Sequence, residues 1–101
     1  MTTLHTINNP SQSSPALGYA KSALLPGDTL LFIEDGVFSL IENSQSCNNI
    51  KPLHDQHAIT ALLPDVQARG LHNRLPEWVT LVDYDGFVEL TETHEKTLSW
   101  T

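Results

Sequence analysis

The hydrophobic pattern of this chain is organised around one unbroken run. Residues Thr29–Ile33 are apolar or β-compatible and do not alternate with polar residues, which is typical of a strand covered on both faces, as in parallel sheets. The run ends in the turn Glu34–Gly36, and Val37–Asn43 then resumes with helical spacing. A buried strand, a glycine turn and a helix form the first half of a βαβ unit. This stretch therefore predicts an α/β protein.

The alternation of strands and helices continues along the chain. Three further strands are predicted at Leu4–Asn8, Ala58–Leu63 and Trp78–Asp83. Apolar residues three and four apart, with proline and glycine at the ends, predict helices at Pro15–Leu24, Pro64–Leu71 and Phe87–His94. The polar segment Asn43–Asn49 is predicted to be a loop. The C-terminal Leu98–Thr101 is predicted to dock as a short edge strand or on a partner protein.

This order of elements predicts one domain over residues 1–101. Strands that alternate with helices through short loops favour a three-layer α/β sandwich with a mostly parallel sheet and right-handed crossovers. The two continuous apolar runs, Thr29–Ile33 and Trp78–Val82, are predicted to be central strands of this sheet.

Composition narrows the kinds of partner that the chain can bind. The 12 acidic and 5 basic residues give a net charge of −7, which repels phosphates, so direct binding to nucleic acid is not expected and proteins are the expected partners. No apolar run reaches the ~18 residues that span a bilayer. The N-terminal residues lack a basic leader, and one cysteine is typical of a reducing compartment. A cytoplasmic location without membrane contact is therefore expected.

Two acidic turns follow the predicted buried strands. Glu34-Asp35 follows one strand and Asp83-Tyr84-Asp85 follows another, and ligands of α/β proteins bind at the carboxyl ends of strands. Such acids serve as turn and N-cap residues, as acid–base pairs, or as a docking surface for a basic partner. Taken singly, the turns favour the capping role, and taken together they favour docking over catalysis.

The remaining candidate residues give little sign of catalysis. Cys47 lies in the polar segment with Lys51 as the one base nearby, which predicts an incidental surface thiol. His54 and His57 have the spacing H-x-x-H but no evident third ligand, so no metal site is predicted. His5 is predicted to be hydrogen-bonded and half-buried rather than a catalytic base. Glycine-rich cofactor motifs and nucleophile elbows are absent, and no cofactor is expected.

The chain resembles the TusB/DsrH family of bacterial sulfur-relay subunits. The segments that carry the resemblance are Leu4–Thr6, Leu31–Val37, Pro64–Gly70, Val82–Leu90 and Trp100. Together they extend over nearly the whole chain in the family's order and spacing. The resemblance implies a fold of the DsrE/DsrF/DsrH type.

The resemblance also implies a function. A TusB-like chain would be a non-catalytic subunit of a TusBCD-like heterohexamer with TusC-like and TusD-like subunits. That complex relays persulfide sulfur from a TusA-like to a TusE-like carrier for 2-thiolation of the tRNA wobble uridine. The alternative is a DsrH-like subunit of a DsrEFH complex in dissimilatory sulfur oxidation. Proteins of that type carry a cysteine where this chain has Ala20, which favours the Tus-like interpretation. An enzyme that uses Cys47 and a small-molecule binder that uses the acidic edge are rival classes.

Acidic, aromatic and apolar residues near strand ends are the candidates for a subunit interface. They are Glu34, Asp35, Phe38, Tyr84, Asp85, Phe87, Leu98 and Trp100. A C-terminal Leu-Ser-Trp would fray in an isolated chain unless it is held in place. Trp100 is therefore expected either to fill a pocket on a neighbouring subunit or to fold back onto its own sheet.

Overall fold

Five strands form a single sheet in the computed structural model, which describes residues 2–101. The strands are β1 (Thr3–Ile7), β2 (Thr29–Phe32), β3 (Ala58–Leu62), β4 (Thr80–Val82) and β5 (Lys96–Trp100). They lie in the order β4-β3-β2-β1-β5, and each neighbouring pair is parallel. The α/β prediction is confirmed, and the C-terminal segment forms the edge strand β5.

Helical segments connect the strands. The α-helices are α1 (Ala16–Ala23), α2 (Gln45–Ile50), α3 (Leu63–Ala68) and α4 (Tyr84–Thr93), and 3₁₀ helices occupy Glu34–Leu40 and Lys51–Asp55. The N-termini of α2 and α4 are capped by side chains, since Ser44 Oγ accepts from Cys47 N–H and Asp83 Oδ1 accepts from Gly86 N–H. Each cap satisfies a backbone donor that the helix itself leaves unpaired.

The strand order places the helices on two faces of the sheet. From β1 to β4 the chain always steps in one direction, so right-handed crossovers put α1, α2 and α3 on the same face. The return from β4 to β5 runs in the opposite direction past three strands, which puts α4 on the other face. His94, just after α4, lies with Nε2 2.9 Å from Thr29 Oγ1. Thr29 and its neighbour Leu30 point to opposite faces of β2.

The main hydrophobic core lies beneath the first three α-helices. Its members include Ile7, Leu17, Leu30, Phe32, Val37, Leu40, Ile50, Ile59, Val66 and Leu71. No residue of α4 is buried, although this helix alone connects β4 to β5 across the second face. The two outer layers of the sandwich are therefore unequal.

The prediction that Trp78–Val82 is a central strand is wrong. Pairing begins at Thr80, and β4 lies at the edge of the sheet, where its residues are exposed or half-buried. Trp78 and Val79 belong to the preceding turn, in which Val79 N–H donates to the Pro76 carbonyl over 3.2 Å. Both side chains still pack on the core, so burial from a turn produced the continuous apolar run.

The α-helix predicted at Val37–Asn43 is replaced by the 3₁₀ helix Glu34–Leu40. Val37 and Leu40 are fully buried and lie three residues apart. A helix with three residues per turn places such a pair on the same side. The tighter helix therefore directs both side chains into the core.

The loop predicted at Asn43–Asn49 is also corrected, because α2 occupies Gln45–Ile50. Besides the Ser44 cap, the helix has Cys47 and Ile50 three residues apart, and both are buried. Capping and the burial of one face outweigh the weak helix propensity of Asn and Ser here.

Candidate functional site

The two acidic turns lie at one edge of the sheet. Parallel strands end on the same side, so Glu34 after β2 and Asp85 after β4 share the carboxyl edge. One strand, β3, separates β2 from β4, so the two turns are on the order of 10 Å apart. Asp65, in the first turn of α3, follows β3 between them.

The turn after β2 is hydrogen-bonded to α3 and to Arg69 just after it. Glu34 has φ 50°, in the left-handed region that non-glycine residues seldom adopt. Its N–H donates to Asp65 Oδ2 over 2.6 Å. The Asp35 carboxylate accepts from Arg69 Nε over 2.9 Å. Asp35 therefore has an internal partner, and its exposed ion pair mainly fixes the position of the turn.

The turn after β4 leaves two side chains available to a partner. Asp83 caps α4 through Gly86 N–H over 2.8 Å, so the N-cap interpretation holds for this residue. Tyr84 is 61% exposed. The Asp85 carboxylate has no hydrogen bond or ion pair with any of residues 2–101.

The eight predicted interface residues do not form one patch. Glu34, Asp35 and Phe38 belong to the 3₁₀ segment after β2, whereas Tyr84, Asp85 and Phe87 belong to α4. Leu98 and Trp100 are half-buried on β5, at the opposite edge of the sheet from β4. The acidic and aromatic residues are therefore divided among three places, and their role in partner binding stays a prediction.

Trp100 is held by a buried hydrogen-bonded chain within its own fold. Its indole Nε1–H donates to His5 Nδ1 over 3.0 Å, and His5 Nε2 lies 2.8 Å from Asp28 Oδ2. An indole nitrogen can only donate, so this contact requires His5 to carry its proton on Nε2 and to donate it to Asp28. In the isolated chain Trp100 thus folds back onto its own sheet.

Asp28 is the fixed acceptor of this chain. Its carboxylate also accepts from the backbone N–H of Thr3 over 2.9 Å and of Leu25 over 3.1 Å. Burial raises the pKa of Asp28, but the hydrogen bonds from His5, Thr3 and Leu25 outweigh that effect and hold the pKa below its ordinary value. His5 is only 1% exposed, which corrects the half-buried prediction. Both of its ring nitrogens are engaged, as in a structural histidine.

Cys47 is not the surface thiol that the polar sequence predicted. It is 3% exposed, because α2 turns it towards the core. Burial is the largest influence and raises the pKa of the thiol; a backbone hydrogen bond from Asn43 opposes it without cancelling it, and the charge of Glu42 raises the pKa further than Lys51 lowers it. A reactive cysteine needs a lowered pKa and access to solvent. The surroundings of Cys47 therefore disfavour nucleophilic chemistry.

His54 and His57 are engaged separately. His57 Nδ1 lies 2.9 Å from the Asp28 carbonyl oxygen, and the His54 ring stacks on Trp78 with centroids 5.1 Å apart. Within residues 2–101, no group of three or more His, Cys, Asp and Glu side chains is arranged to hold a metal ion. None of the helices in this range has the length and apolar character needed to cross a bilayer.

An open groove of about 490 Å³ borders α1, and sequence reasoning did not anticipate it. Its lining includes the hydroxyl groups of Ser14, Tyr19 and Ser22 and the ammonium group of Lys21. Ala20 lies on the same helix but is fully buried in the core. A side chain at position 20 therefore points into the core.

Fold and site together define a small α/β protein with a five-stranded parallel sheet and acidic turns at its carboxyl edge. The sequence pattern described as DsrH like protein matches residues 10–97. The chain belongs to the DsrH-like family, as its sequence resemblance predicted.

Relatives within this family share the name Protein TusB. The relative from Serratia proteamaculans (strain 568) is 35% identical over 99 residues, which cover 96% of this chain and 99% of the relative. The one from Yersinia enterocolitica (serotype O:8 / biotype 1B) is 38% identical over 73 residues, covering 72% and 75%. The one from Photorhabdus laumondii is 38% identical over 77 residues, covering 76% and 79%.

Solved structures with the same fold are more distant in sequence. The E. coli ychN protein superimposes with a TM-score of 0.79 at 14% identity, and MTH1491 from Methanobacterium thermoautotrophicum, described as a protein of unknown function, with 0.76 at 17%. Each alignment covers 97% of both chains. These likenesses establish the fold, and the sequence relatives establish the family.

Proposed function

We propose that this chain is a non-catalytic subunit of a TusBCD-like sulfurtransferase complex. The observation that carries the proposal is its membership of the DsrH-like family together with relatives named Protein TusB along nearly its whole length. In this proposal it assembles with TusC-like and TusD-like subunits as a heterohexamer in the cytoplasm. The complex takes persulfide sulfur from a TusA-like carrier and passes it to a TusE-like carrier for 2-thiolation of the tRNA wobble uridine.

The thiol chemistry of the chain supports a non-catalytic role. Cys47 is buried and its pKa is raised, so little reactive thiolate would form at neutral pH. Ala20 stands where the resemblance to DsrH proteins of sulfur oxidisers places a cysteine, and it is packed in the core. Both observations favour the Tus-like function over a DsrH-like function in sulfur oxidation.

Assembly with sister subunits tests the proposal directly. The chain should be co-expressed with the TusC-like and TusD-like proteins of the same genome and analysed by sedimentation and native mass. We expect a defined complex containing two copies of each subunit, and poor solubility or self-association of the chain alone. A stable monomer that does not associate with the other two proteins would contradict the proposed function.

The reconstituted complex also allows the role of Cys47 to be tested. Cys47→Ser should leave transfer of labelled persulfide sulfur to the TusE-like carrier unchanged within about twofold, because this buried thiol has a raised pKa. In the proposed complex the TusD-like subunit carries the persulfide cysteine, as the family resemblance implies, so a complex in which that cysteine is replaced is the control for lost transfer. Loss of transfer by Cys47→Ser in an intact complex would instead assign the chemistry to this subunit.

A further inference from the structure

Helix α4 presents a largely apolar stripe that its own chain covers only in part. Tyr84, Phe87, Val88 and Thr91 recur at the i, i+3, i+4 and i+7 positions that form one helix face. Tyr84 is 61% and Val88 55% exposed, and Phe87 is half-buried. We call these four residues the α4 stripe. Their spacing is that of a helix face that packs against another surface.

Acidic residues run beside this stripe. Asp85, Glu89 and Glu92 lie at i, i+4 and i+7 on the adjacent side of α4, and none of their carboxylates has a hydrogen bond or ion pair within residues 2–101. The whole stretch from residue 75 to residue 95 contains six acids and no Lys or Arg. Half of the 12 acids of the chain thus lie in the stretch of sequence that contains this helix.

These acids suit the isolated helix only in part: Asp85 lies in the first turn, where its charge is favourable to the macrodipole, but the other positions are not. Carboxylates near a helix C-terminus oppose its macrodipole, which applies to Glu92 and in part to Glu89. Asp85 and Glu89 form a like-charge i, i+4 pair, which is also unfavourable. Cations supplied by another molecule would relieve both kinds of repulsion. The acidic side of α4 therefore indicates the charge of the surface that covers the stripe.

We propose that the α4 stripe and its acidic border dock a sister subunit whose contact surface is apolar and edged with Lys or Arg. This inference rests on the proposed function and assigns a surface to it. A second copy of this chain fits less well, because a two-fold contact through α4 sets the same region of both copies face to face, and residues 75–95 contain no Lys or Arg to pair with the acidic border. Nucleic acid and anionic lipid are repelled by the same charges.

Two tyrosines of nearly equal exposure provide a matched test. Tyr84 lies in the α4 stripe, whereas Tyr19 is 63% exposed on α1, on the other face of the sheet. Affinity is measured on the full chain co-expressed with the TusC-like and TusD-like proteins, as the concentration at which the complex dissociates in sedimentation. Tyr84→Ala should weaken binding by about tenfold or more, as expected for an aromatic anchor. Tyr19→Ala should change it by less than about twofold.

A charge-reversal pair tests the border. Glu89→Lys and Glu42→Lys change the net charge equally at exposed positions, but only Glu89 borders the stripe. Glu89→Lys should weaken binding and reduce its dependence on salt concentration, because the lost attraction is electrostatic. Glu42→Lys should retain both the affinity and the salt dependence of the wild type.

The outcomes separate this inference from the proposed function. If the wild type binds the sister subunits but the two tyrosine variants bind equally well, the α4 docking surface is wrong and the proposed function stands. If the wild type binds neither sister subunit, both are wrong. If Tyr84→Ala abolishes self-association of the chain and leaves its binding to the sister subunits intact, the stripe pairs with a second copy and the proposal is wrong.

Discussion

Asp28→Ala is expected to lower the free energy of unfolding by about 3 kcal/mol or more. The substitution removes the acceptor of His5 Nε2–H and of the Thr3 and Leu25 N–H groups. His5 is 1% exposed, so its freed donor cannot reach water, and a buried donor without an acceptor costs about 1–3 kcal/mol. A shift of its proton to Nδ1 would give up the bond from Trp100. Urea unfolding measures the loss.

The lowered pKa of Asp28 makes the free energy of unfolding depend on pH. The folded-state pKa of Asp28 is below its ordinary value of 3.8, so its stabilising contribution is fully present above that value and is lost as pH falls through the lower, folded-state pKa. Asp28→Asn should therefore be less stable at neutral pH and lose less stability on acidification. Asp55→Asn is the matched control, because Asp55 is 78% exposed. An Asp28→Asn profile parallel to the wild type would contradict this assignment.

This buried chain shows where sequence reasoning reaches its limit. Asp28 is 23 residues from His5, and Trp100 is 95 residues from it. Only the pairing of β1 with both β2 and β5 brings the three residues together. The sequence predicted a hydrogen-bonded His5 but neither partner. Local patterns indicate that a polar residue needs a partner, while the strand order decides which residue that is.

The unbroken apolar run at Thr29–Ile33 correctly predicted a buried strand. All four residues of β2 are buried between two neighbouring strands and both outer layers. The same pattern failed at Trp78–Val82, where a turn supplies part of the burial. A continuous apolar run thus predicts burial more securely than it predicts strand pairing.

Part of the candidate site could be predicted from the sequence, and part could not. The acid-and-glycine turns were correctly placed at the carboxyl edge, since every strand of the sheet is parallel. The division of the eight candidates among three places follows from the return of the chain from β4 to β5, which separates α4 from Trp100. The signal missed at Cys47 was the Ser44 cap followed by buried positions three residues apart. Such short helices depend on the tertiary contacts that their sequences do not specify.

Gly36→Ala is expected to lower the free energy of unfolding by about 3 kcal/mol, at the upper end of the cost of overpacking. A Cβ at this position would overlap the backbone carbonyl of Ile7, at the carboxyl end of β1. A backbone group cannot move aside as a flexible side chain does. The turn after β2 would therefore have to separate from β1, and urea unfolding should show the loss.

The matched control is Gly18→Ala on α1. A Cβ there has nothing within 4 Å, so alanine should stabilise the exposed helix by about 0.5–1 kcal/mol. The two substitutions are chemically identical, but their effects on the free energy of unfolding should have opposite signs.

Amide exchange locates the effect of Gly36→Ala, because Ile33 N–H donates to the same Ile7 carbonyl over 2.9 Å. In Gly36→Ala the Ile33 N–H should exchange faster than the loss of global stability alone would explain. In Gly18→Ala its exchange should not accelerate. Equal protection of Ile33 in both variants would show that the turn does not pack on β1 in this way.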